Sequence, residues 1–124
     1  MNQSKKILII DDDARNIFAL TATLNAKGFI CLSALDAKEG KKLMIQHPDI
    51  NVILIDMMMP DMDGYEAMPY LRATSGYNNV PMIAVTAQAM VGDKEKCLVA
   101  GANDYVSKPI DVDKLMHVLA QYVE

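Results

Sequence analysis

Four apolar runs in this 124-residue chain each end on a residue of the kind that phosphoryl chemistry uses. Ile7-Leu8-Ile9-Ile10 leads into Asp11-Asp12-Asp13, and Val52-Ile53-Leu54-Ile55 into Asp56. Met82-Ile83-Ala84-Val85 leads into Thr86, and Tyr105-Val106-Ser107 into Lys108-Pro109. If the runs are parallel neighbours in one sheet, their ends gather a carboxylate cluster, a hydroxyl and an ammonium at one edge. Such a set can hold a divalent cation and handle phosphate.

The carboxylates set the chemistry. Like charges brought together raise one another's pKa unless something neutralises them. A hard cation does so, and Mg²⁺ typically takes one or two carboxylates together with phosphate oxygens. Zinc prefers Cys and His, and Cys31 and Cys97 form no CxxC or Cys/His pair at zinc spacing. An aspartate can also attack phosphorus to give an aspartyl phosphate, with the Lys108 ammonium and the Thr86 hydroxyl available to the phosphate oxygens. Each residue has a plainer reading. A single Asp after a strand is usually a helix cap or turn residue. That reading is preferred for Asp13 and, taken singly, is equally open for Asp11, Asp12 and Asp56. A lone Lys-Pro is most often a turn, and a lone strand-end Thr structural. The joint pattern of four correct residue types at four run ends is what favours the chemical reading.

The elements that must position these residues alternate. Strands are expected at Lys6–Ile10, Phe29–Ser33, Asn51–Ile55, within Val80–Thr86 and at Asp104–Ser107. Between them lie stretches of helical period. Ala14–Lys27 carries Ile17, Phe18, Leu20, Thr21 and Leu24 on or near one face, and Gly28 stops it. Asp36 and Glu39 resemble a capping box for a helix to about His47, ended by Pro48. Asp63 and Glu66 start another, running to about Ala73. A fourth is expected near Met90–Ala100, and Asp111 caps a last one with Val112, Leu115, Met116, Leu119 and Val123 at helical spacing. Five such repeats predict an α/β, flavodoxin-like (βα)5 three-layer sandwich around a parallel five-stranded sheet, preferred order 2-1-3-4-5. In such sheets ligands sit outside the carboxyl ends of the strands.

Composition narrows the class. The length suits one domain, expected to span 1–124 with no output domain. A net charge of −4 and the lack of a basic stripe argue against direct nucleic-acid binding. No apolar run reaches membrane-spanning length and no signal peptide is legible, so a cytoplasmic location without membrane contact is expected. The cysteines read as reduced, mostly buried small hydrophobes. Ten methionines, among them Met57, Met58, Met59, Met62 and Met68, read as packing residues. His47 and His117 read as isolated surface residues, and Lys38–Lys42 as a solvated helix face.

The segments Ile-Leu-Ile-Ile-Asp-Asp-Asp (7–13), Ile-Asp-Met-Met-Met-Pro-Asp-Met-Asp-Gly (55–64), Ile-Ala-Val-Thr-Ala (83–87) and Gly-Ala-Asn-Asp-Tyr-Val-Ser-Lys-Pro (101–109) together resemble the response-regulator receiver domain of two-component signalling, over essentially the whole chain. Arg15-Asn16, Gly64–Met68 and Gly92–Cys97 resemble receivers that are attached to or work with hybrid sensor kinases. The resemblance implies that Asp56 is the phosphoacceptor. It implies that Mg²⁺ is held by Asp12 directly, by Asp11 largely through water, and by Asp56 and the Met58 main-chain carbonyl. It implies that Lys108 contacts the phosphate, with a cis peptide before Pro109, and that Thr86 and Tyr105 form a switch pair. For Tyr105 an ordinary half-buried strand-end aromatic stays open. Ala87 and Gln88, which follow Thr86, are counted with the site. The implied readout face is the fourth helix, fifth strand and fifth helix.

The implied partners are a histidine kinase or His-containing phosphotransfer protein that supplies phosphoryl, and a downstream protein target. The chain would be a signalling receiver with self-catalysed phosphorylation and dephosphorylation, not a turnover enzyme. A receiver cut from a hybrid sensor histidine kinase, or a constitutive interaction module, are the alternatives. An aspartate-nucleophile phosphatase of the haloacid-dehalogenase type would want a second Asp where Met58 stands, and neither a Walker loop nor GxGxxG is present. In receivers the positions of Met58 and Gln88 flank the path of the hydrolytic water. Met58 cannot orient water, so a long-lived phosphoryl group is expected. Pro69, inside the third expected helix, is the clearest departure, predicting either a kink or a late helix start.

Overall fold

A computed structural model describes residues 5–87 and 92–122. Strands β1 (Lys6–Ile10), β2 (Ile30–Ala34), β3 (Ile50–Asp56), β4 (Met82–Thr86) and β5 (Asp104–Ser107) alternate with helices α1 (Ala14–Ala26), α2 (Ala37–Gln46), α3 (Gly64–Arg72), α4 (Asp93–Ala100) and α5 (Val112–Tyr122). All strand pairs are parallel, in the order β2-β1-β3-β4-β5. The expected class and strand order are both found.

Successive strand residues point to opposite faces, and this divides the core in two. Leu8, Ile10, Ile53, Ile55, Met82 and Ala84 pack with Met44, Ala67, Met68, Leu71 and Cys97 of α2, α3 and α4. Ile7, Ile9, Val52, Leu54, Ile83 and Val85 pack with Leu20, Leu24, Leu115 and Leu119 of α1 and α5. Covered on both faces, β3 is apolar almost throughout, as parallel central strands require.

Local signals acted largely as read. Asp13, Asp36 and Asp63 cap α1, α2 and α3, accepting from the N–H groups of Arg15, Glu39 and Glu66 at 2.9, 2.8 and 3.0 Å. The capping box of α2 is displaced by one residue, since Glu39 accepts from Leu35 N–H at 2.8 Å. Gly28 follows α1 with φ of 96°, a conformation costly for other residues. Gly64 is required for a different reason: a Cβ there would lie 2.8 Å from Met57 Cα.

Several expectations need correction. Phe18 lies on the outer side of α1, 77% exposed, because Leu20 and Leu24 take the inward stripe. Phe29 precedes β2, which runs one residue further along, while β4 lies within Val80–Thr86 as expected. His47 is half-buried, its carbonyl accepting from the Tyr77 hydroxyl. The late helix start offered for Pro69 does not occur. The Asp63 cap holds, and α3 continues through an exposed Pro69, which has no N–H to give to the helix. Lys41, within the expected solvated run, is half-buried and donates to the Tyr70 carbonyl at 3.2 Å. Gln88, Met90 and Val123 lie outside the described residues.

Candidate metal and phosphoryl site

Main-chain hydrogen bonds carry the sheet just past its strand ends and fix the polar residues there. Asp11 N–H donates to the Ala34 carbonyl at 3.1 Å, and Met57 N–H, directly after Asp56, to that of Val85 at 2.9 Å. Lys108 N–H donates to the Thr86 carbonyl at 2.8 Å. The Lys108–Pro109 peptide is cis, as the resemblance implied.

The two buried carboxylates are held in the same way. Asp11 Oδ1 accepts from Asp13 N–H at 2.8 Å, and Asp56 Oδ1 from Met58 N–H at 3.0 Å. Each is a side chain turned onto the backbone two residues on, as short aspartates favour in turns. Asp13 caps the helix and orients Asp11 through its N–H. Neither N–H was foreseen, although an Asp followed by a turn is the signal that could have found them.

Asp11, Asp12 and Asp56 can each offer an oxygen within 4.8 Å of the others. Asp11 and Asp56 are each only 3% exposed, whereas Asp12 faces solvent. The Lys108 ammonium lies 3.4 Å from Asp56 Oδ1 and 3.9 Å from Asp11 Oδ2. Two buried carboxyl groups thus meet one ammonium, with the Asp12 carboxyl beside them. Burial pushes the Asp11 carboxyl up, with further upward contributions from the Asp56 and Asp12 charges, against the lowering effects of Asp13 N–H and Lys108. Asp13, partly exposed, is held below the usual range first by the Arg15 N–H bond.

This donor set fits a hard divalent ion. The ligand atoms are oxygens in reach of one another, and the buried charge is incompletely offset from within the chain. Thr86 is buried at the end of β4, and Ala87 beside it is exposed. Tyr105, half-buried, pairs in register with Ala84 and packs against the core on the α2–α4 side. Asp11, Lys108, Pro109 and Ala87 also border an open cavity that continues between α1 and the start of α5. Among the described residues no helix is long and apolar enough to cross a membrane.

A family model for the response regulator receiver domain matches residues 7–120. The chain is 37% identical over 119 residues to the signal transduction histidine-protein kinase BarA of Escherichia coli, a match that covers 94% of this chain and 12% of that protein. It is 31% identical over 121 residues to the polar-differentiation response regulator DivK of Brucella ovis, covering 97% of each. The chain therefore spans a small part of one kind of relative and nearly all of the other. Among solved structures, the chemotaxis protein CheY4 of Vibrio cholerae superposes with a TM-score of 0.90 at 25% identity, covering 98% of this chain and 100% of that one. The receiver domain of sensor histidine kinase PA1611 from Pseudomonas aeruginosa gives 0.85 at 32% identity, over 97% and 98%, and carries a magnesium ion coordinated in its active site cleft.

Proposed function

This chain belongs to the response regulator receiver domain family, and from that premise we propose how its acidic site divides the labour of phosphoryl transfer. The chain is a phosphoacceptor signalling module of a two-component system, and the constitutive interaction module is not favoured. Asp56 is the acceptor. The single observation that carries this assignment is its buried carboxylate, which has the Lys108 ammonium at 3.4 Å on one side and Asp11 and Asp12 within ligating reach on the other.

The phosphoryl group arrives from a phosphohistidine of a histidine kinase or phosphotransfer protein. An Asp56 oxygen bonds to phosphorus as the P–N bond breaks, and the imidazole leaves with the bonding pair. Lys108 neutralises charge on the phosphoryl oxygens, and the Thr86 hydroxyl donates to one of them. Asp11, Asp12, Asp56 and the Met58 carbonyl would hold Mg²⁺, which would supply the remaining charge neutralisation. The buried position of Asp11 and Asp56 keeps the reacting carboxylate out of bulk water. The added charge then biases a two-state equilibrium in which Thr86 moves toward the phosphoryl group and Tyr105 turns further inward. That shift changes the face formed by α4, β5 and α5 toward a downstream protein. Turnover of an external substrate is not part of this role, and a cytoplasmic setting accords with it.

Incubation with Mg²⁺ and acetyl phosphate, read by intact mass, tests the assignment. A single phosphoryl adduct that requires Mg²⁺ and is lost in Asp56→Asn is expected. An adduct that forms without Mg²⁺, or survives the substitution, overturns it. The exposed apolar Met58 favours a long-lived adduct, so Met58→Asn is expected to shorten it; an unchanged or longer lifetime would refute that.

A further inference from the structure

The alternation of β3 continues beyond the strand into the loop that follows it. Met57 and Met59 turn inward and are buried, while Met58 between them turns out and is 52% exposed. Gly64 lets Met57 seat against the start of α3, and its N–H donates to the Met57 carbonyl at 3.2 Å, so the loop is pinned beside Met58. The other described methionines are less exposed. Met44, Met68 and Met82 are buried, and Met62 and Met116 are half-buried. Among the described residues, Met58 is therefore the most exposed methionine, and it is bonded through its own N–H to the Asp56 carboxylate.

We propose that Met58 is an oxidation-sensitive modification site, and that its sulfoxide speeds the loss of phosphoryl from Asp56. The oxidant is a peroxide. The thioether sulfur attacks one peroxide oxygen, the O–O bond breaks, and sulfoxide and water result; sulfur loses two electrons and the peroxide gains them. The product is reversible by a thiol-dependent sulfoxide reductase. This second effect rests on the reading of Asp56 as acceptor. With Asp56 and Asp11 buried, hydrolytic water must come in past the exposed rim, and Met58 is the rim residue bonded to the carboxylate. A thioether is a weak acceptor that cannot hold a water there. A sulfoxide oxygen is a polar acceptor on the same flexible stem, able to hold and orient one.

The test uses the protein phosphorylated with acetyl phosphate and Mg²⁺, before and after limited hydrogen peroxide. Peptide mass mapping locates the sulfoxide, and acid-labile phosphate follows the lifetime. Sulfoxide is expected at Met58 ahead of the other described methionines. The lifetime is expected to fall by about threefold or more, the rate equivalent of one weak hydrogen bond. Met58→Leu, whatever its starting lifetime, should show no change on peroxide treatment, which separates Met58 from oxidation elsewhere. Reduction by a sulfoxide reductase should restore the original lifetime. Sulfoxide appearing first at another described methionine, or a lifetime unchanged or lengthened by oxidation, would overturn this inference alone. Absence of any phosphorylation before peroxide would instead overturn the acceptor reading, and the lifetime effect with it.

Discussion

At the amino end of the sheet, buried polar groups are matched with partners; at the carboxyl end, like charges are buried against one another. The Arg72 guanidinium reaches across the amino end to the carbonyls of Asn78, Val80 and Gly101 at 3.2, 2.8 and 2.7 Å and to Asn103 Oδ1 at 2.9 Å. That same Asn103 oxygen accepts from Met82 N–H, the first of β4. The Tyr77 hydroxyl donates to the His47 carbonyl and accepts from Ile50 N–H at the start of β3. Lys6 pairs with Asp49 at 2.7 Å. The Thr74 hydroxyl is the exception among the described residues, buried without a hydrogen-bond partner. At the other end Asp11 and Asp56 share one ammonium with the exposed Asp12 close by, and Asp11 is pushed toward its protonated form. The amino end is built for stability. The carboxyl end holds charge that a cation or a phosphoryl group can use, a strain natural proteins carry at functional sites.

Breaking the matched end should cost most. Arg72→Ala is expected to destabilise by about 2–4 kcal/mol, because several carbonyls and Asn103 lose a charged donor at once. Urea unfolding measures this, and Arg72→Lys should recover less than half, since a point charge cannot replace the planar fork. A loss below about 0.5 kcal/mol, the level of ordinary surface changes, would mean the guanidinium contacts hold nothing together. Tyr77→Phe comes next, at about 1–3 kcal/mol, since it leaves the buried Ile50 N–H unpaired.

At the charged end the sign reverses. Asp11→Asn should modestly raise the thermal midpoint in metal-free buffer near neutral pH, by less than Tyr77→Phe lowers it, while abolishing the stabilisation that Mg²⁺ gives the wild type. Native Asp11 keeps its proton to higher pH than the unfolded chain does. Its contribution to stability therefore falls as pH rises from the ordinary carboxylate range, about 4, through its raised native pKa. The variant should lack that decline. Asp13, two residues away and shifted the other way, supports stability above the ordinary range and loses that support as pH falls. A midpoint lowered by Asp11→Asn at every pH would remove the contrast between the two ends.

The carboxyl end was far more legible in the sequence than the amino end. Apolar runs of period suited to strands, each closed by a chemical residue, placed Asp11, Asp56, Thr86 and Lys108 correctly, because a strand end is a local event. The bounds of β1 and β5 were read to the residue, and the three Asp caps followed from local spacing. The misplaced residues mark where tertiary packing decides. Phe18 sits near the helical stripe, but two leucines already fill the inward face of α1. Met58 shares its type with its buried neighbours, and only continuation of the strand's alternation turns it outward. The Arg72 hub and the Tyr77 bridge were not foreseen, since Arg72 finds Gly101 29 positions away and Tyr77 finds His47 30 away. No spacing rule within one element encodes such contacts.

The claim that the buried charge at the carboxyl end is a cation-dependent phosphoryl site is tested most directly by amide spectra of the wild type and Asp56→Asn, titrated first with Mg²⁺ and then with beryllofluoride, a phosphoryl mimic. In the wild type, Mg²⁺ alone should shift the amides of Asp11 to Asp13 and of Asp56 to Met58, and beryllofluoride should then shift Thr86, Tyr105 and Lys108. In Asp56→Asn the second step should be absent. A beryllofluoride response that needs no Mg²⁺, or one that persists in Asp56→Asn, would contradict the account.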